Sequence, residues 1–198
     1  MLSLVAAVAI LLGTYAYRAD RTRDLNRAVS QLGGVVVYDH EISNGEATKG
    51  TPPRVPEAIL AIVGEEWLAD PKALVLDGVD VKNESLDFLP AYPNISAISL
   101  GSTGVTDESL KYISKVERLN VLILFNAKIS DAGLKQLAGM RELTYLDLRN
   151  TPIGDAGLRE LAAVKSLLGI NLTGTNTSPE GRREFSQALP KCDVKYVE

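Results

Sequence analysis

Apolar residues recur at a fixed spacing of 24 positions through the C-terminal two-thirds of the chain. One column contains Leu76, Leu100, Leu124, Leu148 and Leu172, and another, two residues earlier, contains Leu74, Ile98, Leu122, Leu146 and Ile170. A fixed period of this length is typical of stacked repeats, in which no unit can bury its apolar face alone. The pattern therefore predicts that residues 71–198 form a solenoid of similar units.

Within each unit the spacing of the apolar residues changes. Leu146 and Leu148 alternate with more polar neighbours, and this period of two predicts a half-buried strand. Leu158 and Leu161 follow three residues apart, which suits a helix packed back across that strand. Each unit is therefore predicted to be a strand, a turn and a helix.

The sequence Asp-Ala-Gly-Leu occurs at residues 131–134 and again at 155–158, where the helical spacing begins. An aspartate at the start of a helix can accept hydrogen bonds from its free amides, and it faces the positive end of the helix dipole. We interpret Asp131 and Asp155 as helix caps rather than catalytic carboxylates. Gly133 and Gly157 would let the helix start approach the preceding turn closely.

The pattern L-x-x-L-x-L-x-x-T-x-I-x-D-A-G-L-x-x-L at residues 143–161 resembles a leucine-rich repeat. Its turn is similar to that of the cysteine-containing subclass, which also occurs in F-box proteins. The resemblance covers residues 71–198. It implies an α/β solenoid with a parallel sheet of about six strands on the concave side, helices on the convex side and a C-terminal cap from about residue 179.

The turn position where many such repeats have asparagine or cysteine is occupied here by Thr103, Ala127, Thr151 and Thr175. Threonine can still bind backbone groups of the turn, whereas alanine cannot, so any side-chain ladder there should be incomplete. The resemblance says little about activity, because leucine-rich repeats are scaffolds that bind different molecules.

Residues 1–17 contain no charged side chain. As a helix they would be ~26 Å long, close to the roughly 30 Å of a bilayer's hydrocarbon core, and they predict a single-pass membrane anchor. A cleaved signal peptide and a buried helix are the alternatives. Arg18, Arg21, Arg23 and Arg27 follow the run, which predicts cytoplasmic repeats. An extracytoplasmic or secreted location is the alternative.

Residues 18–70 are predicted to form a juxtamembrane helix and an N-terminal cap made of a strand, a loop and a helix. Leu25 and Val29 recur at helical spacing before Gly33-Gly34, and "VVVYDHE" is typical of a strand. A Gly- and Pro-rich loop and a helix from about Pro56 should follow, with Trp67 and Leu68 covering the open end of the solenoid. The whole arrangement resembles a group of short bacterial membrane-anchored leucine-rich repeat proteins.

Composition narrows the possible chemistry. The 198 residues carry a formal net charge of −4, with one cysteine and one histidine. This mild acidity argues against nucleic-acid binding, and Cys192 alone cannot form an intramolecular disulfide. His40 lies between Asp39 and Glu41, and adjacent residues of a strand point to opposite faces, so a metal site is not expected. We predict no enzyme and no cofactor, and the oligomeric state is left open.

The outward strand positions are the candidates for recognition, because the inward leucines belong to the core. The segment "VLILF" at 121–125 is apolar on both faces, and Val75 and Ala97 should lie beside it. The candidate protein-binding residues are Val121, Ile123, Phe125, Tyr145, Asp147 and Arg149. Tyr145 should lie next to Val121, with Asp147 and Arg149 as a charged border.

These residues predict a non-enzymatic, membrane-anchored module that binds a protein or peptide, since contiguous exposed apolar surface usually marks a contact site. The alternative is a structural envelope spacer or self-assembly unit without a defined ligand. An F-box-like substrate adaptor is a third and weaker hypothesis, because the sequence contains no segment that resembles an F-box.

Overall fold

The computed structural model describes residues 21–38, 42–43, 46–47 and 71–197 of the chain. Several predictions concern other residues and stay predictions: the anchor at 1–17, the Asp39-His40-Glu41 segment, and the helix from about Pro56 with Trp67 and Leu68. The predicted domain boundaries likewise stay predictions. Within the described ranges, no helix combines the length and apolar character that a membrane crossing requires.

The elements follow the period of the sequence. Helix α1 covers residues 21–31, and it is followed by strand β1 (Val35–Tyr38) and a hairpin of β2 (Ile42–Ser43) and β3 (Glu46–Ala47). The repeats contain strands β4 (Pro71–Val75), β5 (Ala97–Ser99), β6 (Val121–Ile123), β7 (Tyr145–Asp147), β8 (Gly169–Asn171) and β9 (Asp193–Lys195). The helices between them are α2 (Asp107–Ile113), α3 (Asp131–Leu134), α4 (Asp155–Leu161) and α5 (Pro179–Ala188). Short 3-10 helices at Asn83–Leu86, Leu89–Ala91 and Lys135–Leu137 replace or extend the helix in two of the repeats.

Seven strands of the described chain form one sheet, in the order β1-β4-β5-β6-β7-β8-β9. Strands β4 to β9 are parallel and pair at an offset of 24 residues, as in Leu122 with Leu146. The expected parallel sheet of about six strands is confirmed, since β4 to β9 are six parallel strands. The additional strand is β1, which pairs antiparallel with β4 and places Val35 opposite Val75. The first repeat has no preceding repeat to pair with, so β1 supplies partners for its strand edge.

The core lies between the sheet and the helices. The leucine columns are buried throughout, with Leu74, Leu76, Leu122, Leu124, Leu146 and Leu148 at 1% exposure or less. Leu158 and Leu161 of α4 pack against them from the other side. Burial of one such side chain contributes on the order of 2 kcal/mol, and stacked repeats share that contribution between neighbours.

The two ends of the described stack are covered differently. At the N-terminal end, Leu25 and Val29 of α1 are buried in the same core as the repeats, so α1 is part of the folded domain. At the C-terminal end, Phe185 of α5 is buried, and the Arg182 guanidinium carbon lies 3.5 Å from the centroid of the Tyr196 ring. The last strand exposes Asp193 and Lys195, and charged residues of this kind discourage further strand pairing.

The turn after each of the strands β4 to β8 contains a residue in the left-handed conformation. The residues with positive φ at this position are Gly78, Ser102, Asn126, Asn150 and Gly174. Threonine follows in three repeats, and the hydroxyls of Thr103, Thr151 and Thr175 donate to the carbonyls of Leu100, Leu148 and Leu172 at 2.6–2.7 Å. Ala127 has no hydroxyl, so the ladder is interrupted there as the sequence predicted.

The aspartates of the helix starts do not cap their own helices, so that prediction is wrong. Asp131 is the first residue of α3, and its Oδ1 accepts a hydrogen bond from the backbone N–H of Gly154 in the next repeat, at 2.8 Å. Asp107 binds the backbone and hydroxyl of Ser130 in the same way, and Asp155 those of Ser178. We call Asp107, Asp131 and Asp155 the aspartate column. Its members connect adjacent repeats.

The glycine of the Asp-Ala-Gly-Leu sequence has its explanation in this column. A Cβ atom at Gly133 would collide with the carboxylate of Asp107, and one at Gly157 would meet that of Asp131, at 2.5 Å. The close approach predicted for these glycines is therefore to the aspartate of the preceding repeat. Aspartate and glycine occur together because each repeat leaves space for the carboxylate of the repeat before it.

Candidate functional site

The concave face is the side of the sheet that points away from the leucine core. Its side chains form three rows across the strands: Ala73, Ala97, Val121, Tyr145 and Gly169; Val75, Ser99, Ile123, Asp147 and Asn171; Asp77, Gly101, Phe125, Arg149 and Thr173. Tyr145 pairs with Val121 and Asp147 pairs with Ile123, as the repeat period predicted. The six candidate residues therefore occupy two adjacent strands and the turns that follow them.

Phe125 is held against the sheet by residues on both sides of it. Its ring occupies the space that a Cβ at Gly101 would need, so the absence of a side chain at residue 101 allows this packing. On the other side, the guanidinium carbon of Arg149 lies 5.3 Å from the ring centroid, within the range of a cation–π contact. The ring is half-buried and lies between these two neighbours.

Asp147 is the candidate residue whose environment differs most from the prediction. It was expected to be a solvent-exposed charge, but it is only 3% exposed. Arg149 folds back across it: the Arg149 Nε lies 3.0 and 2.9 Å from the two carboxylate oxygens, and the backbone N–H of Arg149 also donates to Asp147. The side-chain hydrogen bond to Asp147 raises the pKa of Arg149 above its usual value. The two opposite charges therefore cancel, and the pair adds no net charge to the concave face.

Tyr145 is exposed, and its ring leans away from the ring of Phe125. Its side chain is 37% exposed, and its ring lies 3.1 Å from the position of a Cβ at Gly169, in the following repeat. Phe125 leans the other way, over Gly101 in the preceding repeat. The two predicted anchors therefore lie in different rows and above different repeats.

The apolar surface instead extends toward the N-terminal edge of the sheet. Val35 and Val75 are paired across β1 and β4 and are 59% and 38% exposed. We use the term apolar patch for Val35, Val75, Ala97, Val121, Ile123 and Phe125. The repeat pattern indicates five of these six residues. Val35 lies outside the repeats, and only the antiparallel pairing of β1 brings it to this face.

The C-terminal part of the concave face carries mostly polar residues. Asn171 is buried and accepts a hydrogen bond from the backbone N–H of Thr173, while Asp193 and Lys195 are exposed. Cys192 is buried near this end, and burial raises the pKa of its thiol to about 11, which keeps it protonated. In the ranges that the structure covers, no cluster of three or more His, Cys, Asp or Glu side chains is arranged to hold a metal ion.

Comparisons with known proteins agree with this architecture. A protein-family model described as "Leucine Rich repeat" matches residues 140–162. No curated protein matches the sequence. Among solved structures, the actin-binding site 2 of leiomodin-1 superposes with a TM-score of 0.50 and 18% identity, covering 61% of this chain and 79% of that one.

Two bacterial structures are also similar. An internalin (inlF) from Listeria monocytogenes matches with a TM-score of 0.45, 18% identity and coverage of 54% of this chain and 29% of its own. The leucine-rich repeat protein LIC12759 of Leptospira interrogans matches with a TM-score of 0.42, 22% identity and coverage of 58% and 28%. The chain thus spans less than a third of either bacterial structure. At these identities the likeness concerns the fold alone, and the F-box-type subclass stays a prediction.

Proposed function

Because the chain is a leucine-rich repeat protein, we propose that it is a binding module whose concave face holds a segment of another protein. The observation that carries this proposal is the apolar patch. Its six side chains lie on four neighbouring strands or directly after them, and they are partly or largely exposed. Soluble proteins seldom leave such a surface uncovered unless it is a contact site.

The chemistry around the patch also suits recognition. An interface usually has an apolar centre and a polar rim, and here the Arg149–Asp147 pair and Asp77 border the apolar side chains. Phe125 is already held by Gly101 and Arg149, so binding would cost it little conformational entropy. Phe125 and Tyr145 remain the proposed anchors, because binding energy concentrates in aromatic residues.

Crosslinking of the full chain in its native membrane fraction tests this proposal. We expect Phe125→Ser combined with Tyr145→Ser to abolish partner capture. The matched control is Leu168→Ser, which removes a side chain that is 54% exposed but lies outside the three rows. Capture that survives the double change contradicts the proposal.

Because Phe125 is half-buried, melting temperatures accompany the capture measurement. A second variant, Val75→Ser with Tyr145→Ser, changes two exposed residues and should leave the melting temperature close to wild type. If this variant unfolds the domain, the patch is internal packing and the proposed site is lost.

The proposal includes membrane anchoring through residues 1–17, supported by their length and lack of charge. The arginines that follow favour cytoplasmic repeats. We expect the full chain to stay in the membrane pellet after alkaline extraction, with a fragment from Arg18 onward as the control. Protease added to intact cells should leave the repeats uncut. Digestion without lysis contradicts the orientation, and complete extraction contradicts the anchor.

A further inference from the structure

The charges of the concave face are unevenly distributed. Between residues 73 and 173, the three rows of this face contain three ionisable acidic or basic side chains: Asp77, Asp147 and Arg149. Asp147 and Arg149 neutralise each other, with Arg149 Nη2 2.7 Å from Asp147 Oδ2. Asp77 has no lysine or arginine partner among the described residues. The uncompensated charge of these rows between residues 73 and 173 is therefore negative and lies at their N-terminal end.

The position of the Asp77 carboxylate is fixed by the next repeat. Its Oδ1 accepts hydrogen bonds from the hydroxyl of Ser99, at 2.6 Å, and from the backbone N–H of Gly101, at 2.7 Å. Its other oxygen has no hydrogen-bond donor among the described residues, and the residue is exposed. The carboxylate is thus oriented by two bonds on one oxygen while the second oxygen stays open to a ligand.

The surroundings of this carboxylate are apolar. Val75 precedes it by two residues on the same strand, and Val35 lies beside Val75 on β1. Gly101, which donates to Asp77, is covered by the ring of Phe125. The negative charge therefore lies at the edge of the apolar patch, next to both its most exposed valines and its aromatic ring.

We propose that the occupant of the concave face is an extended peptide segment with a basic side chain for Asp77 and apolar side chains for the patch. This inference rests on the proposed function and specifies its partner. An arginine or lysine would pair with the open carboxylate oxygen and place its aliphatic stem on Val75. From β4 to β7 the strands span about 14 Å at ~4.8 Å each, a distance that four or five extended residues cover.

A selection experiment tests this composition directly. The full 198-residue chain, solubilised in detergent, is panned against a phage-displayed library of random peptides. The same library is panned against Asp77→Asn, Asp77→Lys, Asp80→Asn and Phe125→Asp. Asparagine keeps an acceptor oxygen for Ser99 and Gly101 while removing the charge. Asp80 is an exposed neighbouring acid outside the rows and serves as the matched control. Circular dichroism verifies that each variant is folded.

We expect the wild type and Asp80→Asn to select peptides with a lysine or arginine among apolar residues, and Asp77→Lys to select acidic ones. A synthetic consensus peptide should bind Asp77→Asn about two- to fivefold more weakly than wild type at low salt, as for an exposed ion pair. The difference should shrink as ionic strength rises. Replacing the basic residue of the peptide by norleucine should remove the effect of Asp77→Asn.

The results that contradict this inference differ from those that contradict the proposed function. Peptides that need Phe125 but carry no basic residue, or that bind Asp77→Asn as well as wild type, overturn this inference and leave the proposed function standing. Selection of acidic peptides by the wild type also overturns it. If no peptide distinguishes the wild type from Phe125→Asp, both the inference and the concave binding site are wrong.

Discussion

The side chain of Asp147 points away from the leucine core and yet is almost fully covered, because Arg149 lies across it. Position along a strand determines which face a residue occupies, but a long neighbouring side chain can bury a residue on the outer face too. Asp147 therefore does not behave as a free surface charge, a type of residue whose loss usually changes stability by no more than about 0.5 kcal/mol.

Asp147→Ala is now expected to lower the free energy of unfolding by about 1–3 kcal/mol, since it removes hydrogen bonds to a charged partner. Asp147→Asn keeps an acceptor for the backbone N–H of Arg149 and should cost less. Urea denaturation of both variants measures the difference. Two variants as stable as wild type would show that the Asp147–Arg149 pair adds nothing to stability.

Leu146→Ala provides the comparison from the opposite face of the same strand. Leu146 is completely buried, and a large-to-small change in a core costs about 2–5 kcal/mol. We expect this loss to exceed that of Asp147→Ala in the same urea series. The reverse order would contradict the assignment of Leu146 to the core face.

The carboxylate of Asp155 makes the stability of the fold depend on pH in the acid range. Hydrogen bonds from the hydroxyl and backbone of Ser178 hold the pKa of Asp155 below its ordinary value of 3.8. A depressed pKa contributes stability that is complete above the unfolded value and is lost as pH falls through the folded value. The denaturant midpoint of the wild type should therefore drop more steeply below about pH 4 than that of Asp155→Asn. Parallel curves for the two proteins would contradict the role of Asp155.

At the scale of the element, the short helices depend on their neighbours. Helix α3 has four residues, its N-cap Ser130 makes no side-chain capping bond, and isolated helices of this length are not stable in water. Instead, Ser130 donates its backbone and hydroxyl hydrogens to Asp107 of the preceding repeat. The start of α3 is therefore fixed by α2 rather than by its own cap. Helix α5 has both kinds of contact, because the Ser178 hydroxyl bonded to Asp155 also accepts a hydrogen bond from the backbone N–H of Gly181, at 2.9 Å.

Gly133→Ala tests this dependence, because its effect on stability should be opposite to the usual effect of this change in a helix. In most helices alanine is more stable than glycine by up to about 1 kcal/mol. Here the added Cβ displaces the Asp107 carboxylate, so we expect Gly133→Ala to destabilise the wild type. In the background of Asp107→Ala the same change should be neutral or stabilising. Denaturant midpoints of the four proteins form a double-mutant cycle, and additive effects would refute the collision.

At the scale of the whole molecule, the same contacts recur at each junction between repeats. Strand pairs keep the offset of 24 residues, and the aspartate column connects α2 to α3, α3 to α4 and α4 to α5. The column ends at α5, where Pro179 occupies the corresponding position and no carboxylate continues it. This end, together with Arg182 on Tyr196, distinguishes the C-terminal cap from the repeats.

Insertion of a second copy of residues 131–154 after residue 154 should be tolerated, because it keeps the 24-residue offset, the leucine columns and the hydrogen bond from Gly154 to Asp131. The new strand junction that it makes pairs β7 with a copy of itself. Stability of such stacks is close to a sum of repeats and nearest-neighbour interfaces. We expect a larger urea m-value, which reflects more buried surface, and a midpoint at least equal to wild type. The control is the same insert carrying Leu146→Ser and Leu148→Ser. Equal loss of stability for both inserts would contradict a stack of independent junctions.

Much of the candidate site could be predicted from the period alone. Val121, Ile123 and Phe125 were placed on one strand and Tyr145 beside Val121, because register is shared by all parallel strands of the stack. The directions of the rings could not be predicted. They depend on which neighbouring strand carries glycine at the same height, Gly101 for Phe125 and Gly169 for Tyr145.

The sequence by itself determined the strands, the leucine core and the stacking order, because every unit repeats the same apolar positions and only one register buries them all. Tertiary structure decided three other features: the aspartate column between repeats, the burial of Asp147, and the addition of Val35 to the concave face. The physical reason is the separation along the chain of the residues that interact. The apolar period is written along one stretch of chain, whereas these three features follow from side-chain directions and strand pairings that form only once separate segments have come together.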